Sequence, residues 1–168
     1  MKKELPQRKQ TYLKGFDYSS TDHVFFITLC TVNKRPYFSD PKIVKLITDE
    51  LEFRQVNDEI KLYCYCIMPD HIHLLLSLTE SYIKGKEPLK VRTLQNWVSA
   101  FKRYTSRISG QMYGIRPLWQ TNFFDHVVRK DESLIEICSY ILNNPVRKGM
   151  VSRWEDYPYS KIVTDLPI

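Results

Sequence analysis

The run Val24-Phe25-Phe26-Ile27-Thr28-Leu29-Cys30-Thr31-Val32 is β-branched and aromatic, begins after His23, and predicts a central first strand. Asn33-Lys34-Arg35-Pro36 breaks it. Asp40-Pro41 then supplies an N-cap with proline at the first helical position, and Ile43, Val44, Ile47 and Leu51 make a helical apolar stripe to about Gln55. Glu59 to Ile67 predicts a second strand in which Leu62, Cys64 and Cys66 alternate with Tyr63 and Tyr65. Pro69-Asp70 turns the chain into a third strand, His71-Ile72-His73-Leu74-Leu75-Leu76. Its period of two sets His71 and His73 on one face and Ile72, Leu74 and Leu76 on the other.

Residues 81–88 read as a loop without periodicity, and a second helix starts near Leu89. That helix carries Leu94, Trp97, Val98, Phe101, Tyr104 and Ile108 at helical spacing, with Lys102, Arg103 and Arg107 on its other side. Residues 110–122 read as irregular, and Phe123 to Val128 as a fourth strand. Asp131 or Ser133 caps a third helix buried through Leu134, Ile137, Cys138, Ile141 and Leu142 and ended by Pro145. Glu136, Tyr140 and Asn144, four residues apart, form a polar strip along it. Beyond Gly149, Trp154, Tyr157 and Tyr159 serve as packing anchors.

The order strand, helix, strand, strand, helix, strand predicts an α+β fold, a ferredoxin-like split β-α-β antiparallel sheet with a C-terminal helix appended. Helices are expected on one face. The histidine face then needs cover or a ligand. Residues 1–22, with Lys2, Lys3, Arg8, Lys9 and Lys14, read as a basic arm with little core material, either a leader or a nucleic-acid contact. Residues 23–168 read as a single domain.

The 168 residues, 43% of them hydrophobic, suffice for one proper core, and a formal charge of +6 favours a polyanionic partner. Cys30, Cys64, Cys66 and Cys138 form no C-x-x-C pair and read as buried small hydrophobes in a reducing compartment. No apolar segment follows the charged N-terminus and no stretch reaches spanning length, so a soluble, cytoplasmic protein without a membrane partner is expected.

Alternate histidines on a strand hold a metal ion between them or form a half-exposed polar face. An ion held by His71 and His73 needs a further ligand, which the Asn144 amide oxygen offers, and Tyr140 then stands one turn away. A tyrosine attacking a phosphodiester makes a covalent phosphotyrosine that stores the bond for rejoining. Mixed nitrogen and oxygen ligation suits Mn²⁺ or Mg²⁺, and Zn²⁺ binds such a set at least as well. The chain has 11 tyrosines, and Tyr104, beside the basic strip of the second helix, is the rival nucleophile.

Met68-Pro69-Asp70-His71-Ile72-His73, Trp119-Gln120 through Phe123, Asp125-His126 with Arg129, and Tyr140-Ile141-Leu142-Asn143-Asn144-Pro145-Val146-Arg147-Lys148-Gly149 together resemble the REP-associated tyrosine transposases. These are relatives of the single-tyrosine insertion-sequence transposases within the histidine-hydrophobic-histidine endonuclease superfamily, and the resemblance spans residues 12–160. It implies a transposase domain that cuts and rejoins single-stranded DNA near hairpins, leaving a 5′-phosphotyrosine and a free 3′-hydroxyl. It implies Tyr140 as nucleophile and His71, His73 and Asn144 as ligands of Mg²⁺ or Mn²⁺, and it makes the appended helix the catalytic one. Lys14, Lys102, Arg103 and Arg107 become candidate DNA contacts. His126 falls on a recurrent family position, where it orients the site or touches DNA. The enzyme would act as a monomer or a homodimer.

A histidine-triad nucleotidyl hydrolase is disfavoured because Leu75 stands where a third alternate histidine is needed. The remaining alternative is a non-catalytic protein that binds DNA or RNA hairpins, with Tyr63 and Tyr65 as stacking rings.

Overall fold

The computed structural model describes residues 15–85, 90–129 and 132–167. Lys14, the basic residues before it and Asp131 lie outside the described residues. The elements are β1 (Val24–Cys30), α1 (Pro41–Val56), β2 (Ile60–Met68), β3 (His71–Leu78), α2 (Glu80–Lys84), α3 (Leu94–Tyr113), β4 (Phe124–Val128), α4 (Leu134–Leu142), α5 (Asn144–Arg147) and β5 (Ser160–Ile162). The strands form one antiparallel sheet in the order β4-β1-β3-β2-β5. This is the expected ferredoxin-like order with β5 added at one edge.

Alternation on β1 and β3 separates two cores. Phe25, Ile27, Leu29, Ile72, Leu74 and Leu76 point to one face, where α1 and α3 cover them through Ile43, Ile47, Leu51, Trp97 and Phe101. All six strand side chains are fully buried, each worth roughly 1.5–3 kcal/mol in removed apolar surface. The other face carries Phe26, Leu75, Cys64, Cys66 and Met68 and is covered by α4 through Cys138, Ile141 and Leu142. The face expected to need cover is therefore covered by the tyrosine helix.

Several local expectations change. A bulge between Leu62 and Cys64 puts two residues on β2 against one step of β3, so Tyr63 joins Cys64 and Cys66 while Leu62 joins Tyr65 on the opposite side. The predicted loop at 81–88 begins as α2, capped by Thr79, whose hydroxyl accepts the Tyr82 N–H. α3 starts at Leu94 rather than Leu89 because Thr93 and Asn96 close a capping box, and it runs on through Gly110 to Gly114, whose φ of 71° ends it. Tyr18, 8% exposed, and Phe16 pack on the first core, so the segment just before β1 supplies core material that composition did not suggest. In the tail, β5 pairs with β2, and the Tyr157 hydroxyl donates to the Ile67 carbonyl at 2.8 Å.

Pro145 does not end the tyrosine helix. α4 stops at Leu142, Asn143 takes non-helical angles, and Pro145 sits in the first turn of α5, where a missing N–H costs nothing.

Candidate active site

The hairpin turn at Pro69-Asp70 and the register of β3 against β1 set the site. His73 pairs with Thr28 and His71 with Cys30. One row across the sheet reads Phe124, Thr28, His73, Cys66, Ser160, and the next row on the same face reads His126, Phe26, Leu75, Cys64, Ile162.

The imidazole rings of His71 and His73 lie 4.7 Å apart between centroids at 73°. His71 Nδ1 is 2.6 Å from Asp70 Oδ1, and His73 Nδ1 is 2.7 Å from Thr28 Oγ1. A carboxylate accepts, so Nδ1 of His71 donates and its Nε2 keeps the lone pair. The Thr28 hydroxyl is able to donate or accept at His73 Nδ1, and where it accepts, His73 takes the same tautomer. Neither Nε2 has a hydrogen-bond partner among the described residues. Burial pushes His73 down to about 3, helped by its neighbour His71, which competes for the same proton, and by the positive fields of Arg147 and Lys34. Burial also lowers His71, against the pull of Asp70 and with Lys34 and Lys148 acting in the same direction as burial. Both rings are held neutral, the form in which imidazole binds a metal.

α4 lays Tyr140 against this pair. The Tyr140 ring is 6.5 Å from His73, and Phe26 wedges beside both, 5.4 Å from His73 and 6.1 Å from Tyr140. Arg147, exposed on α5, places its guanidinium carbon 3.8 Å from the Tyr140 ring centroid and donates from Nη1 to the Tyr140 carbonyl at 2.9 Å. Asn144, at the start of α5, is 5% exposed, and its Nδ2 is buried with no hydrogen-bond partner among the described residues. Among the described residues no group of three or more His, Cys, Asp and Glu side chains is arranged to hold a metal.

Other candidates sit elsewhere. α3 packs on the sheet face opposite the histidines, which removes Tyr104 from them; it stacks instead under Arg107, 5.3 Å from its ring. Arg103 is exposed on the same helix. Lys102 ties the following loop down, donating to the carbonyls of Gln120, Thr121 at 3.0 Å and Asn122 at 3.3 Å, and burial lowers its pKa. Trp119 is a core residue whose Nε1 donates to Thr105 at 2.8 Å. His126 lies on the histidine face beside Phe26, and its Nε2 meets the Glu132 carboxylate at 2.9 and 3.0 Å. Glu132 also accepts the Arg129 N–H at 2.7 Å, which straps the end of β4 to the segment entering α4.

Sequence reasoning missed Thr28, Arg147 and Lys34. Thr28 carries no local signal, because its relation to His73 is one of cross-strand register. Arg147 does: Tyr140, Asn144 and Arg147 fall at i, i+4 and i+7, one helical face.

A family model described as Transposase IS200 like matches residues 19–144, a stretch holding both histidines, Tyr140 and Asn144. The chain belongs to the IS200-like transposase family. Within this family it is similar to a Haemophilus influenzae protein provisionally named a REP-associated tyrosine transposase, 34% identical over 104 residues. It is also similar to the Escherichia coli REP-associated tyrosine transposase, 26% identical over 106 residues. These matches take in 60% and 63% of this chain and 58% and 56% of those relatives' lengths. A solved REP-associated tyrosine transposase bound to a REP hairpin superposes with a TM-score of 0.66 at 18% identity, over 93% of this chain and 82% of that one. The transposase fold and the resemblance to REP-associated enzymes thus agree with the expectation from motifs. Among the described residues no helix is long and apolar enough to cross a membrane.

Proposed function

We propose that this chain is a metal-dependent transposase that cleaves and rejoins single-stranded DNA at hairpins through a 5′-phosphotyrosine on Tyr140. The observation that carries the reading is the seating of the Tyr140 ring 6.5 Å from His73, next to two neutral histidines with unpartnered Nε2 atoms. His71 and His73 through Nε2, and Asn144 through its amide, would hold Mg²⁺ or Mn²⁺. The donor types fit: Asp70 and Thr28 hold the two rings through Nδ1, and the Asn144 amide oxygen is a hard donor on a buried side chain. Such an ion, when bound, supplies Lewis-acid polarisation of a nonbridging phosphate oxygen.

The chain's own residues do the rest. Tyr140 supplies the attacking oxygen, forming the Tyr–O–P bond as the bond from phosphorus to the 3′-oxygen breaks. The hairpin substrate is supported by the REP hairpin bound to the structural neighbour. Arg103, Arg107, Lys14 and His126 are the candidate backbone contacts.

The test is incubation with labelled single-stranded hairpin DNA and Mn²⁺ or Mg²⁺, comparing wild type, Tyr140→Phe and Tyr104→Phe. A denaturation-resistant protein–DNA product that needs the metal and disappears in Tyr140→Phe alone is expected. Hairpins bound tightly but never cut by wild type would establish the non-catalytic binding protein instead.

A further inference from the structure

We propose that Arg147 is a catalytic residue of the cleavage step, its guanidinium contacting the scissile phosphate from the face of the Tyr140 ring and balancing the charge that gathers there. The inference rests on Tyr140 being the nucleophile.

Arg147 is exposed, and its guanidinium carbon stands 3.8 Å from the Tyr140 ring centroid, well inside the roughly 6 Å reach of a cation–π contact. One arm is fixed, because Nη1 donates to the Tyr140 carbonyl at 2.9 Å. Nε and Nη2 have no acceptor, and the guanidinium no carboxylate, among the described residues. A planar, permanently charged group with free donors beside a nucleophile matches the geometry by which arginine binds phosphate oxygens. Its field also reaches His73, which places the charge at the histidine pair as well as at the tyrosine. Lys34 and Lys148 act on His71 in the same sense, against the Asp70 carboxylate.

In the step itself the phenol oxygen bonds to phosphorus and loses its proton to solvent. The bond to the 3′-oxygen breaks, and that oxygen takes up a proton to leave as a hydroxyl. Negative charge on the nonbridging oxygens is greatest between these events. A fixed guanidinium there stabilises the crossing in both directions.

The experiment follows single-turnover adduct formation by the full chain with Mn²⁺, comparing wild type, Arg147→Ala and Arg147→Lys. The hairpin substrates carry either a phosphodiester or an uncharged methylphosphonate at the linkage that wild type cuts. Arg147→Ala is expected to slow the phosphodiester reaction by about 10²- to 10³-fold, with Arg147→Lys in between. On the methylphosphonate, where that charge is absent, the gap to wild type should largely close. Equal slowing on both substrates would reduce Arg147 to holding Tyr140 in place, and undiminished cleavage of the phosphodiester would remove it from the reaction; either overturns the proposal while leaving the nucleophile standing. Absence of any Tyr140-dependent adduct in wild type would overturn both.

Discussion

Thr28 Oγ1 lies 2.7 Å from Nδ1 of His73, across the β1–β3 pair and 45 residues away along the chain. That contact holds the His73 ring through Nδ1 and leaves Nε2 without a protein partner among the described residues. Thr28→Val keeps the shape and removes the hydroxyl. Mn²⁺ affinity, measured by calorimetry, is expected to fall about 10- to 100-fold, as for other losses of a group orienting a ligand histidine, while Thr28→Ser stays near wild type.

His73 gives the metal-free protein an acid sensitivity. In the unfolded chain the ring takes a proton near 6.5, whereas in the fold burial holds it to about 3. The unfolded state therefore binds more protons between these values, and stability is fully present above about pH 6.5 and falls as pH drops toward 3. The loss is on the order of 4 kcal/mol across the window. Urea unfolding of wild type and His73→Gln at several pH values should show the variant lacking that part of the slope.

Lys102 should behave as a structural residue. Lys102→Met removes a charged donor from the carbonyls of Gln120, Thr121 and Asn122. A loss of about 1–3 kcal/mol in unfolding free energy is expected, with hairpin affinity close to wild type. A large drop in affinity at unchanged stability would return Lys102 to the DNA contacts.

His126 and Glu132 should be coupled. Both are partly exposed, so a double-mutant cycle with alanine is expected to give a coupling of about 0.5–1 kcal/mol. Amide exchange in the first turn of α4, beginning at Leu134, should quicken in either single variant, since Glu132 ties that entry to β4.

Local rules were enough for much of this. The alternation of Phe25, Ile27 and Leu29, the Asp40-Pro41 cap and the Pro69-Asp70 turn each act within a few residues. They predicted β1, α1 and the β2–β3 hairpin, and with them the shared face of His71 and His73. Motif spacing drew Tyr140 and Asn144 into the same reading, and the family match bears out the resemblance. Where the chain departs from local signal, the departures have local causes: an Asn96 that closes a capping box, a bulge that reverses the faces of Leu62 and Tyr63, and a proline placed in a first turn rather than after a last one.

Tertiary structure alone decided how the pieces meet. Which face of the sheet α4 would cover, and hence that Tyr140 would rest against His73 while Tyr104 would not, depends on two separate apolar surfaces each finding its own helix. Thr28 reached His73 through strand register. Contacts of that kind are set by packing across long separations, to which a hydrophobic period along the chain is blind.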